Sequence, residues 1–159
     1  MGLEGKKMRN IKKMKSTAIL DRMVKDHGKI VKLLNDVEKV IDQEQDIVST
    51  MKVFDKFDWT LEKHFFTEEK AIFTSYEPEN VTTGYAMLPE LIKEHNEILN
   101  KLRVMRRNIK KRRPFDFYDF KVMLMKHKKF EEKEVYPKLD QELDESEKKV
   151  IIERINEIL

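Results

Sequence analysis

The sequence has no cysteine, only four glycines, four prolines and a single tryptophan. Without cysteine there is no disulfide framework, no thiolate-held metal and no thiolate-held iron–sulfur cluster. No glycine-rich phosphate loop is present. No apolar run approaches the roughly 20 residues that span a bilayer. Lys and Arg near the N-terminus are followed by no apolar stretch, so they do not form a secretory signal. Strong charge of one sign is also missing. A net charge of +3 gives no reason to expect a nucleic-acid partner. These absences lead to the expectation of a cytoplasmic protein with no membrane contact.

What remains is rich in helix formers. Charged and hydrophobic residues each make up 40% of 159 residues, a length that suits one domain with a core. Residues 1–15 are basic and irregular and are expected to be a flexible leader. Residues 16–159 are expected to form the domain. Apolar residues recurring at three and four predict a helix to about Ile41, with Ser16 or Thr17 as its cap. A second is predicted from about Ile47 to Ser75, a third from Tyr85 or Pro89 to about Lys110, and a fourth from about Phe115 to Leu139. The segment Glu77–Asn80 breaks the chain between the second and third. A loop over Asp140–Glu145 leads to a last helix, with Ser146 as its candidate cap. Arg106, Arg107 and Lys110–Arg113 form a basic cluster. It has no interleaved aromatics for base stacking, and its ordinary role is to meet a helix C-terminus. The expected fold class is all-α: an antiparallel up-down-up-down four-helix bundle with an extra C-terminal helix.

One phrase occurs twice. His64 to Phe73 and His127 to Tyr136 both read His-x-x-x-Glu-Glu-x-x-apolar-aromatic. Residues four apart share a helix face, so each copy projects an imidazole beside a carboxylate. Glu68 and Glu131 fall on apolar stripes, where an unpaired carboxylate is costly, whereas Glu69 faces solvent. A lone histidine on an apolar face is usually a satisfied core residue. Here all four histidines, His27, His64, His95 and His127, lie one per helix on inward stripes. Four imidazoles and two carboxylates in one core are enough for two transition-metal ions.

This ordered set resembles the hemerythrin-like, or HHE cation-binding, family over roughly residues 18–140. The Tyr136-Pro137 ending is similar too. The resemblance implies a four-helix bundle with a non-haem di-iron centre. His27 and His64 would hold one iron and His95 and His127 the other. Glu68 and Glu131 would bridge them, with an oxo or hydroxo group completing the link. Oxygen-carrying hemerythrins add a fifth histidine to the third helix. Here the positions four before and four after His95 are Leu91 and Leu99, so the His95–His127 iron would have one protein ligand fewer. The carriers also use an acid five residues after the last histidine, here Glu132. Symmetry with Glu68 favours Glu131. The four-His, two-Glu set is most similar to the iron-centre-repair branch, whose Cys-bearing N-terminal segment is not found in this sequence.

The resemblance therefore implies two iron ions as cofactors, and O2 or NO as the small ligand carried, sensed or met in a stress response. The alternative is a di-iron enzyme that reduces peroxide or NO, or that donates iron to repair damaged iron–sulfur centres. No nucleophile set for hydrolysis remains once the four histidines are assigned to metal.

Overall fold

A computed structural model describes residues 14–75 and 88–159. Most of the expected basic leader, the expected break at Glu77–Asn80 and the Tyr85 start of the third helix lie outside the described residues. Helix α1 spans Ala18–Asp42, α2 Ile47–Thr67, α3 Leu88–Lys110 and α4 Phe117–Phe130. After α4 come α5, Tyr136–Glu142, and α6, Glu145–Ile158. The fold is the all-α four-helix bundle with an added C-terminal helix, and α6 packs on α1 and the far end of α2.

Neither α2 nor α4 stops where its regular helix ends. Each runs into a π turn, Glu68–Ile72 after α2 and Glu131–Val135 after α4. The π turns begin at the two stripe carboxylates themselves. The wider turn inserts one residue into the helical register, so Tyr136, five residues after Glu131, comes to stand over it.

Two apolar clusters fill the bundle. One centres on Phe54, Phe57, Leu61, Ile98, Leu102 and Phe120. The other joins Ile19, Met23, Ile72, Tyr136, Leu139 and Ile151. Each buried side chain of this size contributes about 1.5–3 kcal/mol. Counting the π turns after α2 and α4, every long helix passes from one cluster to the other, and the four histidines lie at the crossing.

The helix ends differ from expectation in instructive ways. Thr17 occupies the N-cap of α1, but its side chain makes no capping bond; its hydroxyl donates to Asp21 instead. The open N–H groups of Ile19 and Leu20 donate to the carboxylate of Asp140 at 3.0 and 2.9 Å. Lys148 Nζ lies 3.4 Å from that carboxylate and donates to the Ser16 carbonyl. Asp140, expected in a loop, lies within α5 and caps α1 from there. The cap of α6 is Asp144, not Ser146, and it forms a capping box with Glu147. In the basic cluster, Arg106 pairs with Asp55 and Asp58 on α2 and lies over the Phe54 ring.

A candidate metal centre

The two halves of the bundle repeat each other. His27 on α1 and His95 on α3 are each preceded by an acid, Asp26 and Glu94. His64 at the end of α2 and His127 at the end of α4 each lead into a π turn. The four histidines, Glu68 and Glu131 are all 5% exposed or less, and both carboxylates are fully buried.

The fold brings all six candidate residues together. They form two groups, His27, His64, Glu68, Glu131 and Glu68, His95, His127, Glu131, in each of which one donor atom per residue lies within 4.8 Å of the others. Both carboxylates belong to both groups. Oε1 of Glu68 lies 2.8 Å from His64 Nε2 and 3.5 Å from His95 Nε2. Oε1 of Glu131 lies 3.4 Å from His27 Nε2 and 3.3 Å from His127 Nε2. Two atoms bound at right angles to one ion, at roughly 2.1 Å each, stand about 3 Å apart.

These atoms do not satisfy one another by hydrogen bonding. Glu68 Oε1, Glu131 Oε1, His95 Nε2 and His127 Nε2 are buried without hydrogen-bond partners among the described residues. His27 Nε2 and His64 Nε2 point at each other at 3.1 Å. Buried polar atoms left unpaired are costly. Converging lone pairs of imidazole and carboxylate fit a transition-metal cation, so the residues present fit a metal ion.

The outward nitrogens are held by carboxylates. His64 Nδ1 donates to Asp26 at 2.5 Å, and His127 Nδ1 donates to Glu94 at 2.6 Å. A proton kept on Nδ1 leaves the Nε2 lone pair facing inward. Glu132 stands 3.6 Å from His27 Nδ1 and Glu69 3.5 Å from His95 Nδ1. Sequence reading missed Asp26 and Glu94, which look like ordinary helix charges. The signal available was the acid–histidine dipeptide, Asp26-His27 and Glu94-His95, occurring in both halves. Tyr136 was also missed in this role. Its hydroxyl donates to Glu68 Oε2 at 2.5 Å and lies 3.2 Å from Glu131 Oε2.

The cluster's charges follow from this packing. Burial, then repulsion from His64, lowers His27 to about 4. Burial opposes a charge on His64, but Glu68 and Asp26 outweigh it and raise the ring to about 10. His127, likewise against burial, is raised to about 9 by Glu131. Burial and the negative charge of Glu68 push Glu131 up to about 8. Glu68 itself, despite burial, is held well below the ordinary carboxylate range by His64.

Among the described residues, the two histidine pairs have different surroundings. Phe65 stacks flat on the His95 ring, 4.0 Å between centroids, and Phe73 stacks at 6.0 Å. Leu91 and Leu99 stand four before and four after His95, and the two rings cover the face of its imidazole. A cavity of about 10 Å³ instead borders His27, His64, His127 and Glu131, walled by Ile30, Leu61, Phe65 and Leu124. That volume is about one water molecule's worth.

No described helix is long and apolar enough to cross a membrane. Comparison with curated proteins and with solved structures found no match. Residues 18–139 match the hemerythrin HHE cation binding domain. That match spans all four long helices and every member of the cluster, and so the chain belongs to the hemerythrin HHE cation-binding family, a metal-binding helical bundle.

Proposed function

We propose that the chain is a non-haem di-iron protein that binds O2 or NO, for carriage, sensing or a stress response. His27 and His64 hold one ion, His95 and His127 the other, and Glu68 and Glu131 are shared. The observation that carries this reading is the sharing: two four-residue donor groups have both carboxylates in common. Imidazole and carboxylate suit iron, although manganese and zinc accept the same set. When bound, iron supplies Lewis acidity and one-electron chemistry toward a small molecule.

The protein's own residues then have defined tasks. Asp26 and Glu94 orient His64 and His127. Tyr136 holds Oε2 of Glu68 so that Oε1 turns inward. Phe65 and Phe73 close the His95 side to water. Ile30, Leu61 and Leu124 wall the remaining cavity with apolar side chains and restrict it to a very small ligand. The cavity size favours a diatomic gas over any organic substrate. Peroxide is comparably small, so reduction of peroxide or NO is the second reading. Iron donation to damaged clusters requires ready release, and the deep burial of all six residues argues against it.

Visible absorption of the ferrous protein tests this assignment. Adding and then removing O2 or NO should produce and then reverse a new band. Consumption of peroxide or NO over many turnovers would move the assignment to an enzyme. No spectral response to any of the three would contradict both.

A further inference from the structure

The cavity beside His27 and His64 has an outer neighbour. An open, shallow surface groove of about 640 Å³ lies over the exposed side of α4 and the π turn after it, bordered by Val122, Lys129 and Lys133 among others. Met125 and Lys128 line this groove and also line the inner cavity. They are the two side chains that the spaces have in common, and both are half-buried.

Met125, Lys128 and Glu132 succeed one another at three and four, on one face of the helix. Lys128 Nζ lies 3.5 Å from Glu132 Oε2, and that same oxygen lies 3.6 Å from His27 Nδ1 on α1. Lys128 and Glu132 therefore lie over the seam between α4 and α1, beside the cavity. Along Phe117–Phe130, α4 packs more loosely on α1 than on α3.

The internal repeat distinguishes the two histidine pairs. After His64 comes Phe65, whose ring lies on His95. After His127 comes Lys128, a flexible aliphatic stem whose charged end stays in water. Met125 is unbranched, with three rotatable bonds, and changes shape at little cost. A rigid aromatic guards one histidine pair, and two flexible side chains guard the other.

We propose that Met125 and Lys128 form a gate through which a diatomic-sized ligand passes between solvent and the metal centre. The proposal rests on the reading of the inner cavity as a small-ligand site. Rotation of Met125 opens the passage, and the Lys128–Glu132 pair holds it narrow.

Two measurements test the gate. In metal-free protein, dissolved O2 is a paramagnetic probe, and its relaxation of the Ile30, Leu61 and Leu124 methyl groups reports access to the cavity. M125A and K128A should increase that relaxation, and M125W should decrease it. In iron-loaded protein, stopped-flow association of NO, expressed per iron, should slow about tenfold in M125W and quicken in M125A, a spread of the size seen among variants of one binding site. Wild-type relaxation and wild-type association in M125A and K128A would overturn the gate, whether or not M125W folds. A wild-type protein that takes up no iron would sink the functional reading, and the relaxation measurement would still decide the gate.

Discussion

The hydroxyl of Tyr136 donates to Glu68 across the bundle, joining the first residue of α5 to the carboxylate of the other half. Phe73, the counterpart of Tyr136 in the first repeat, has no hydroxyl and stacks on His95 instead. Tyr136→Phe would leave Glu68 Oε2 without this donor in a fully buried place. The metal-free protein should lose about 1–3 kcal/mol in denaturant unfolding. Metal affinity, read by chelator competition, should fall by about 10–100-fold. A variant equal to wild type in both would show that the phenol is only a filler of space.

Asp26 and Glu94 hold equivalent histidines but differ in exposure. The Asp26 side chain is 5% exposed and that of Glu94 44%. Water can replace Glu94 and cannot easily replace Asp26. Asp26→Ala should therefore weaken metal binding by about 10–100-fold, and Glu94→Ala should weaken it less. Chelator competition on both variants measures the order. The reverse order would argue against a positioning role for these acids.

Glu131 is fully buried between two histidines, whereas its neighbour Glu132 is 20% exposed and lies at the outer nitrogen of His27. Glu131→Ala should lose metal from both positions, because both donor groups contain it. Glu132→Ala should retain two ions per chain. Metal content after gel filtration decides between them, and loss confined to the Glu132 variant would reassign the second shared carboxylate.

Metal binding should release protons. Glu131 at about 8, His127 at about 9 and His64 at about 10 hold protons at neutral pH in the metal-free cluster. A cation needs those lone pairs bare. Apparent affinity should therefore climb as pH rises toward 9, and calorimetry in two buffers of different ionisation heat should report the protons released. For the metal-free fold the sign is opposite. Glu131 and His64 lie above their ordinary 4.5 and 6.5, so their contribution is full below those values and is lost as pH rises through about 8 and about 10. His27, lowered to about 4, acts at the other end: its contribution is present above 6.5 and is lost as pH falls toward 4. A metal affinity that fell between pH 6 and 9 would contradict this protonation pattern.

The helices and the cluster were legible because both follow one period. Apolar residues at three and four place Leu61, His64 and Glu68 on one stripe, and Leu124, His127 and Glu131 on another. A carboxylate on such a stripe announces a partner. What stayed hidden depends on contacts between helices. Asp26 and Glu94 sit beside stripe residues and read as solvated charge until α2 and α4 are laid against them. Tyr136 reads as the aromatic end of a stripe, because no residue type marks a π turn. Asp140 reads as loop, because its role as a cap appears only when α1 lies beside α5. The crowding of His95 depends on which way Phe65 turns, and spacing does not specify that.

Most direct of all is the metal content of protein purified without chelator and reloaded with ferrous iron, compared with its Glu68→Ala variant. The account expects about two irons per wild-type chain, a higher melting temperature with iron than after chelation, and loss of both ions in the variant, since Glu68 belongs to both donor groups. A wild-type chain that binds no metal, or whose melting curve is the same with and without chelator, would contradict it.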